Sequence, residues 1–258
     1  MDTFITLLAD QLRAGDAIGF TFFTGYMSMF AASVFFFFER GQVSGKWKTS
    51  LLVSGLITMI AAVHYFYMRG YYLEISALAL AEGRELRPGE ASPTQFRYID
   101  WTLTVPLMCV EFYLLLKPYG AKLGLMWRLI AASVVMLVTG YIGEAIQPDQ
   151  TILWGVLSTV GYLYIVYEAA MGSVKKMADS SDNPDVVKAV RLLRNFVIVG
   201  WAIYPIGYMT MPGNLLANTG LNLDLIYNIG DAVNKIGFGL VVYMVAINSS
   251  KRETPAMA

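Results

Sequence analysis

The 258-residue sequence is short of what a water-facing surface needs: only 15% of residues are charged, acids and bases number 19 each, and there is a single histidine and a single cysteine. Cys109 alone can form no internal disulfide, and it leaves the redox compartment unread. A formal charge of zero, with no basic patch interleaved with aromatics, offers nothing to nucleic acid. No metal site is expected. Residues 1 to 16 contain Asp2, Asp10, Arg13 and Asp16 and lack the basic start, apolar middle and small-residue cleavage site of a signal peptide, so the first apolar run is expected to serve as its own insertion signal. Neither a repeat of about 20 to 50 residues nor inverted halves are found, and one domain is expected.

What the chain has in excess is apolar sequence: 56% hydrophobic residues and a mean hydropathy of +0.52. Those values fit a polytopic membrane protein rather than a soluble fold. Seven runs approach the roughly 20 residues needed to cross a bilayer: 17–38, 50–68, 96–116, 123–146, 152–171, 190–210 and 221–247. They are long and continuous, whereas barrel strands would alternate in segments of about 10 residues, so the expected class is all-α, a bundle of seven transmembrane helices.

Cations orient the bundle. Arg40, Lys46, Lys48, Lys117, Lys122, Lys175, Lys176, Lys188, Arg191, Arg194, Lys251 and Arg252 follow the odd-numbered spans. Arg13, Arg69, Arg84 and Arg87 lie on the other side, diluted by Glu74, Glu82, Glu85 and Glu90. The positive-inside rule therefore puts the N-terminus outside and the C-terminus in the cytoplasm, with odd helices running inward.

Several charges fall inside the runs. An unpaired ammonium at bilayer depth costs at least about 2.5 to 3.5 kcal/mol, so Lys235 and, one turn earlier, Asp231 point to function. The third run, FRYIDWTLTVPLMCVEFYLLL, adds Arg97, Asp100 and Glu111. On a helix Asp100 and Glu111 return to within about 20° of one face, separated by about 16 Å along the axis, and Thr104 shares that face. Asp100 and Asp231 can sit outward of the buried amine while Glu111 waits inward. A cation keeps nearby carboxylates ionised and an isolated carboxyl in an apolar wall stays neutral, which are the states of a proton acceptor and a proton donor. Glu39, Glu168 and Asp149, near run ends, are expected to snorkel to the interface. His64, alone among apolar residues, reads by itself as a packed core group. Trp101 and Trp201 lie too deep for the interfacial aromatic belts.

The strings RYIDWTLTVP, GWAIYPIGY and LIYNIGDAVNKIGFGL resemble microbial rhodopsins, most closely the proteorhodopsin and xanthorhodopsin branch, and the likeness spans all seven runs. The resemblance implies a light-driven outward proton pump of the plasma membrane with all-trans retinal bound covalently as a Schiff base on Lys235. It implies Asp100 as primary counterion and proton acceptor, Asp231 as second counterion, Arg97 as the balancing cation and Glu111 as proton donor. Asp, Thr and Glu at Asp100, Thr104 and Glu111 match proton pumps rather than chloride or sodium pumps. Trp101 and Trp201 look like the retinal sandwich, with Tyr204, Pro205 and Tyr227 completing the pocket.

By the same resemblance His64 hydrogen-bonds the counterion aspartate and can face a neighbouring protomer in a ring of five or six copies. Met108 stands where an apolar residue goes with green absorption, and Glu144 matches a further tuning position that reads equally as an interfacial carboxylate. Gly155 matches the glycine that opens a window for a hydroxylated carotenoid antenna, although a small residue there also suits ordinary helix packing. The Glu-rich segment from Gly70 to Pro93 is expected by the same resemblance to form the family's short outer hairpin, although its sequence diverges. Other readings are a sensory photoreceptor signalling through a partner, a light-gated ion channel, and a retinal-free seven-helix receptor or transporter.

Overall fold

Asp16 starts the first helix by accepting a hydrogen bond from the Gly19 amide at 2.8 Å, satisfying one of the donors that a helix start leaves free. The computed structural model describes residues 14–87 and 89–253. The expectations on Arg13 and on the N-terminal segment before it lie outside the described residues.

Among the described residues nine α-helices follow in order: α1 Ala17–Glu39, α2 Lys48–Ala81, α3 Thr94–Leu116, α4 Leu123–Tyr141, α5 Thr151–Ala170, α6 Ser173–Asp179, α7 Pro184–Asn195, α8 Ile203–Tyr208 and α9 Leu223–Glu253. No strand occurs among the described residues. Two five-residue π-turns, Ile142–Ile146 and Phe196–Gly200, extend α4 and join α7 towards α8. Six helical stretches are long and apolar enough to cross a membrane. The sixth crossing, expected at 190–210, is divided among α7, the π-turn and α8, so no unbroken helix of that length exists there.

Packing closes the crossings into a ring. α1 packs on α2, α2 on α3, α3 on α4 and α4 on α5, while α9 returns to touch α1, α2, α7 and α8. The ring is threaded at both ends by polar contacts. At one end Ser44 N donates to Ser250 Oγ at 2.8 Å, Asn183 Nδ2 donates to Ser249 Oγ at 3.1 Å, and Lys46 pairs with Glu253. At the other, Tyr72 donates to Asp16 at 2.7 Å and Ser92 donates to Asp224 at 2.9 Å. Large apolar side chains such as Phe38, Trp127, Leu153 and Val199 cover the outside, as a hydrocarbon solvent requires. Small residues let backbones approach: a Cβ on Gly161 of α5 would stand 2.6 Å from the Ala132 carbonyl oxygen of α4.

Three expectations need correction. α2 does not stop at Met68 but continues to Ala81, because Gly70 does not break it and ISALALA is strong helix-forming sequence; the turn falls at Gly83, whose φ of 69° suits glycine. The segment from Gly70 is therefore helix for half its length, and the remainder carries no hairpin among the described residues. Glu168 does not snorkel: it is buried, and its carboxylate accepts from the Ser173 amide at 2.7 Å, seating the start of α6, and from Tyr164 at 3.0 Å. Glu144 is likewise not interfacial; it is buried, accepting from Tyr98 at 2.9 Å and Thr94 at 3.2 Å. Glu39 and Asp149 do lie toward the surface, Glu39 accepting from Tyr243 at 3.1 Å.

Candidate functional site

Spacing of four residues on α9 sets Asp231 directly beside Lys235, and α3 brings Asp100 across to the same nitrogen. Lys235 Nζ lies 2.6 Å from Asp100 Oδ2 and 3.0 Å from Asp231 Oδ1. The amine is 2% exposed and both carboxylates are 0% exposed, so the desolvation cost must be met by hydrogen bonds. Asp231 is saturated with them: Tyr65 donates to Oδ2 at 2.7 Å, Tyr204 to Oδ1 at 2.7 Å, and Trp101 Nε1 spans both oxygens at 3.0 and 3.1 Å. Asp100 is not. Its Oδ1 has no hydrogen-bond partner among the described residues. The two carboxylates are thus chemically unequal, one locked by donors and one with an oxygen free to take a proton.

Thr104 shares the Asp100 face but donates to the Asp100 backbone carbonyl at 2.9 Å, holding the helix turn rather than the carboxylate. His64 approaches without bonding: its Nδ1 is 3.7 Å from Asp100 Oδ1 and 2.8 Å from the Ile60 carbonyl, which satisfies the ring. The expected histidine–counterion hydrogen bond is replaced by this local one, because a helical side chain four residues on reaches its own backbone carbonyl.

Arg97 also differs from expectation. Its guanidinium bonds neither Asp100 nor Asp231; Nη2 donates to Asp224 at 2.9 Å and Asn228 at 2.7 Å, and Nη1 donates to the Tyr65 hydroxyl at 3.3 Å. The faces of Phe22, Tyr65 and Tyr227 surround it within 5.3 to 5.9 Å. Through Tyr65 the chain of contacts runs from Asp224 by way of Arg97 to Asp231 and Lys235. Asp224, Asn228 and Tyr65 were not singled out in the sequence. Asn228 and Asp224 stand three and seven residues before Asp231, on the same helical face, and that periodicity was the available signal.

Glu111 lies further along α3, fully buried. Its surroundings are less apolar than its own helix suggests, because Ser54 of α2 donates to Oε1 at 3.2 Å, while Oε2 has no partner among the described residues. The signal for Ser54 was a stripe of small and polar residues on α2, Ser54, Thr58, Ala61 and Tyr65, at helical spacing and buried.

A cavity of about 510 Å³ adjoins the charged cluster. That volume lies within the usual range of ligand pockets. Trp101, Trp201, Tyr204, Pro205 and Tyr227, drawn from α3, the end of the π-turn, α8 and α9, line it, with Val105, Leu137 and Gly155. Trp101 and Tyr204 belong to both the wall and the Asp231 hydrogen-bond set, so the apolar cavity borders the charged cluster through these two side chains. Met108 is buried in the core but is not among the wall residues, where Val105 of the same helix stands instead. Gly155 is on the wall, and a Cβ there would meet the Tyr208 ring at 3.0 Å. The Phe196–Gly200 π-turn shapes this side. Asn234 Nδ2 donates to the Gly200 carbonyl at 2.9 Å, and Tyr162 donates to the Val197 and Ile198 carbonyls at 3.0 and 2.9 Å. An elongated apolar aldehyde fits such a site: apolar walls for its body, and one buried primary amine with two carboxylates for its reactive end.

A family model described as bacteriorhodopsin-like protein matches residues 16–249. The chain belongs to the bacteriorhodopsin-like family. It is 45% identical over 245 residues to the blue-light absorbing proteorhodopsin of Gamma-proteobacterium Hot 75m4, covering 93% of this chain and 90% of the relative. It is 43% identical, with the same coverage, to the green-light absorbing proteorhodopsin of Gamma-proteobacterium EBAC31A08. Among solved structures, xanthorhodopsin, described as a light-driven ion pump with dual chromophore, superposes with a TM-score of 0.75 at 30% identity, over 92% of this chain and 94% of that one. With six long apolar helices, this rhodopsin is a multi-pass protein of the bacterial plasma membrane.

Proposed function

We propose that the chain is a light-driven outward proton pump, one seven-helix domain carrying all-trans retinal on Lys235, with its N-terminus outside. The observation that carries this is the inequality of the groups around Lys235. Asp100 offers a free oxygen on one side, Asp231 is tied by Tyr65, Trp101 and Tyr204, and Glu111 is buried along α3 toward the other end of the bundle.

Trp101, Trp201, Tyr204, Pro205 and Tyr227 would hold retinal, with its end at the Lys235 nitrogen. When bound, retinal supplies light absorption and an isomerisation that lowers the proton affinity of that nitrogen. Asp100 Oδ1 accepts the released proton, since no donor competes for it. Asp231 stays ionised under its hydrogen bonds and keeps a negative partner beside Lys235 throughout. Glu111, excluded from water, returns a proton toward Lys235, and Ser54 holds its carboxyl in place. Release through the Asp100 side and refilling through the Glu111 side move one proton outward, given the cations gathered at the Lys46, Lys117 and Lys251 end.

Green absorption is the reading of the apolar Met108, which is buried in the core beside the wall rather than on it. The protein is read as a homo-oligomer of five or six copies, on the family resemblance. A hydroxylated carotenoid is a second ligand reading, favoured by Gly155 on the cavity wall and by the likeness to xanthorhodopsin; an excitation spectrum without carotenoid-to-retinal energy transfer ends it. Light-driven pH change in a cell suspension tests the function. Illumination should acidify the medium equally with and without sodium, with the signal abolished by a protonophore. Alkalinisation would reverse the direction, and no change would remove the pump.

A further inference from the structure

The contacts of Arg97 define a group with no part in the proton path above. Asp224 is two helical turns before Asp231 on α9, its side chain 9% exposed, and its Oδ1 accepts from both Arg97 Nη2 at 2.9 Å and Ser92 at 2.9 Å. Arg97 is fully buried and its fork is fixed by three residues, Asp224 and Asn228 on Nη2 and Tyr65 on Nη1. Asp224 is the one carboxylate bonded to this guanidinium among the described residues.

We propose that Asp224 is a positioning residue: it anchors the Arg97 guanidinium at the outer end of the buried network, and thereby sets the electric field in which Asp100 receives its proton. This rests on the reading of Lys235 as the retinal site. An aspartate is what the position requires. With a neutral side chain there, the nearest anions along the contact chain are Asp231, reached through the Tyr65 hydroxyl, and then Asp100. The guanidinium cannot neutralise itself by losing a proton, so its charge acts on those carboxylates instead.

The groups facing Asp100 are Lys235 and Asp231 from α9 and His64 from α2, while Arg97, three residues earlier on α3, connects to them through the Tyr65 hydroxyl and Asp231. Those facing Asp224 are Arg97 from α3, Ser92 from the segment before it, and Asn228 through the shared guanidinium nitrogen. Tyr72 with Asp16 and, on the Ile142–Ile146 π-turn, Glu144 with Tyr98 and Thr94 are occupied by their own partners at the same end. Loss of the Asp224 charge makes the surroundings of Asp100 more positive by one unit, which favours its ionised form.

The test is an acid titration of the visible band of the purified, retinal-loaded protein, in which protonation of Asp100 changes the colour. Asp224→Asn and Asp224→Ser should move the transition to lower pH by about one unit, a tenfold change in proton affinity. Asp224→Glu should titrate within a few tenths of a unit of the unaltered protein. In an Arg97→Gln background the further change Asp224→Asn should shift the transition by less than a third as much. Coincident titrations of the unaltered protein and both neutral variants would overturn the anchoring role, and an equal shift in both backgrounds would overturn its action through Arg97. An unaltered protein that takes up no colour at all would instead remove the underlying reading of Lys235.

Discussion

Replacing Glu111 by glutamine separates its proton from its shape. The side chain is fully buried, and its hydrogen bond from Ser54 at 3.2 Å can be kept by the amide oxygen, so packing is preserved and the donated proton is lost. A positioned general acid contributes about 10² to 10⁴ in rate, or about 2.7 to 5.5 kcal/mol of barrier at 1.36 kcal/mol per decade. The proton must then come from the bulk, which makes recovery first order in proton concentration. The assay is flash photolysis of the protein in vesicles, following return of the protonated state at Lys235 between pH 6 and 9. The unaltered protein should recover at a rate nearly independent of pH over the lower part of that range. Glu111→Gln should recover at least about a hundredfold more slowly near neutrality and slow by about tenfold for each unit of rising pH. Ser54→Ala removes a neutral hydrogen bond of about 1 kcal/mol and should slow recovery less than tenfold. Equal recovery in Glu111→Gln, with the same flat pH profile, would refute the donor role.

Two further outcomes follow from the packing and from the outer segment. In Gly200→Ala the new Cβ would stand 2.0 Å from Asn234 Oδ1, forcing that side chain to turn and give up its bond to the Gly200 carbonyl. A cost of about 2 to 4 kcal/mol is expected, read as a lower temperature of thermal bleaching by several degrees; an unchanged bleaching temperature would show that the π-turn tolerates a side chain. In the segment between α2 and α3, the Arg84 guanidinium grips Glu90 through two bonds of 2.7 and 2.8 Å, and this, with the Arg87 amide, lowers the Glu90 carboxyl from 4.5 to about 2. Because the folded value is depressed, the contribution to local order is complete above about pH 4.5 and is lost as the pH falls through about 2. A carbon-13 titration of the Glu90 carboxyl should show the low midpoint and its return toward 4.5 in Arg84→Gln, whereas the same midpoint in both would dissolve the pairing.

The membrane class and the buried charges were legible in the sequence because hydrocarbon imposes a simple rule: long apolar runs cross, and a charge inside one has a partner. Lys235 and Asp231 announced themselves by spacing on one helix. Asp100 and Glu111 did so through the rarity of acids at depth. What stayed hidden depends on contacts between helices that no single-helix pattern contains. Arg97 was legible as a buried cation, but its partner Asp224 sits at the start of the last run, where a carboxylate reads as an ordinary end charge. Glu168 misled for the same reason, since capping the short helix α6 is invisible until the chain turns back at Gly172. The division of the sixth crossing by a π-turn has no hydrophobic signature at all, because VIVGW is as apolar as the helix on either side, and the contacts that go with it, from Asn234 and Tyr162, come from other helices. The length of α2 was missed through weight given to Gly70, which a helix held by packing on α1 and α3 accommodates.

The central claim is that one nitrogen, Lys235 Nζ, carries the chromophore between unequal counterions. The most direct measurement is to load the protein with all-trans retinal, fix the linkage with borohydride under illumination, and map the modified peptide by mass spectrometry. A retinyl group on Lys235, with the visible band lost in Lys235→Ala, is the expected result. A coloured protein whose chromophore is attached at another lysine or not attached covalently, or a chain that takes up no retinal, would contradict it.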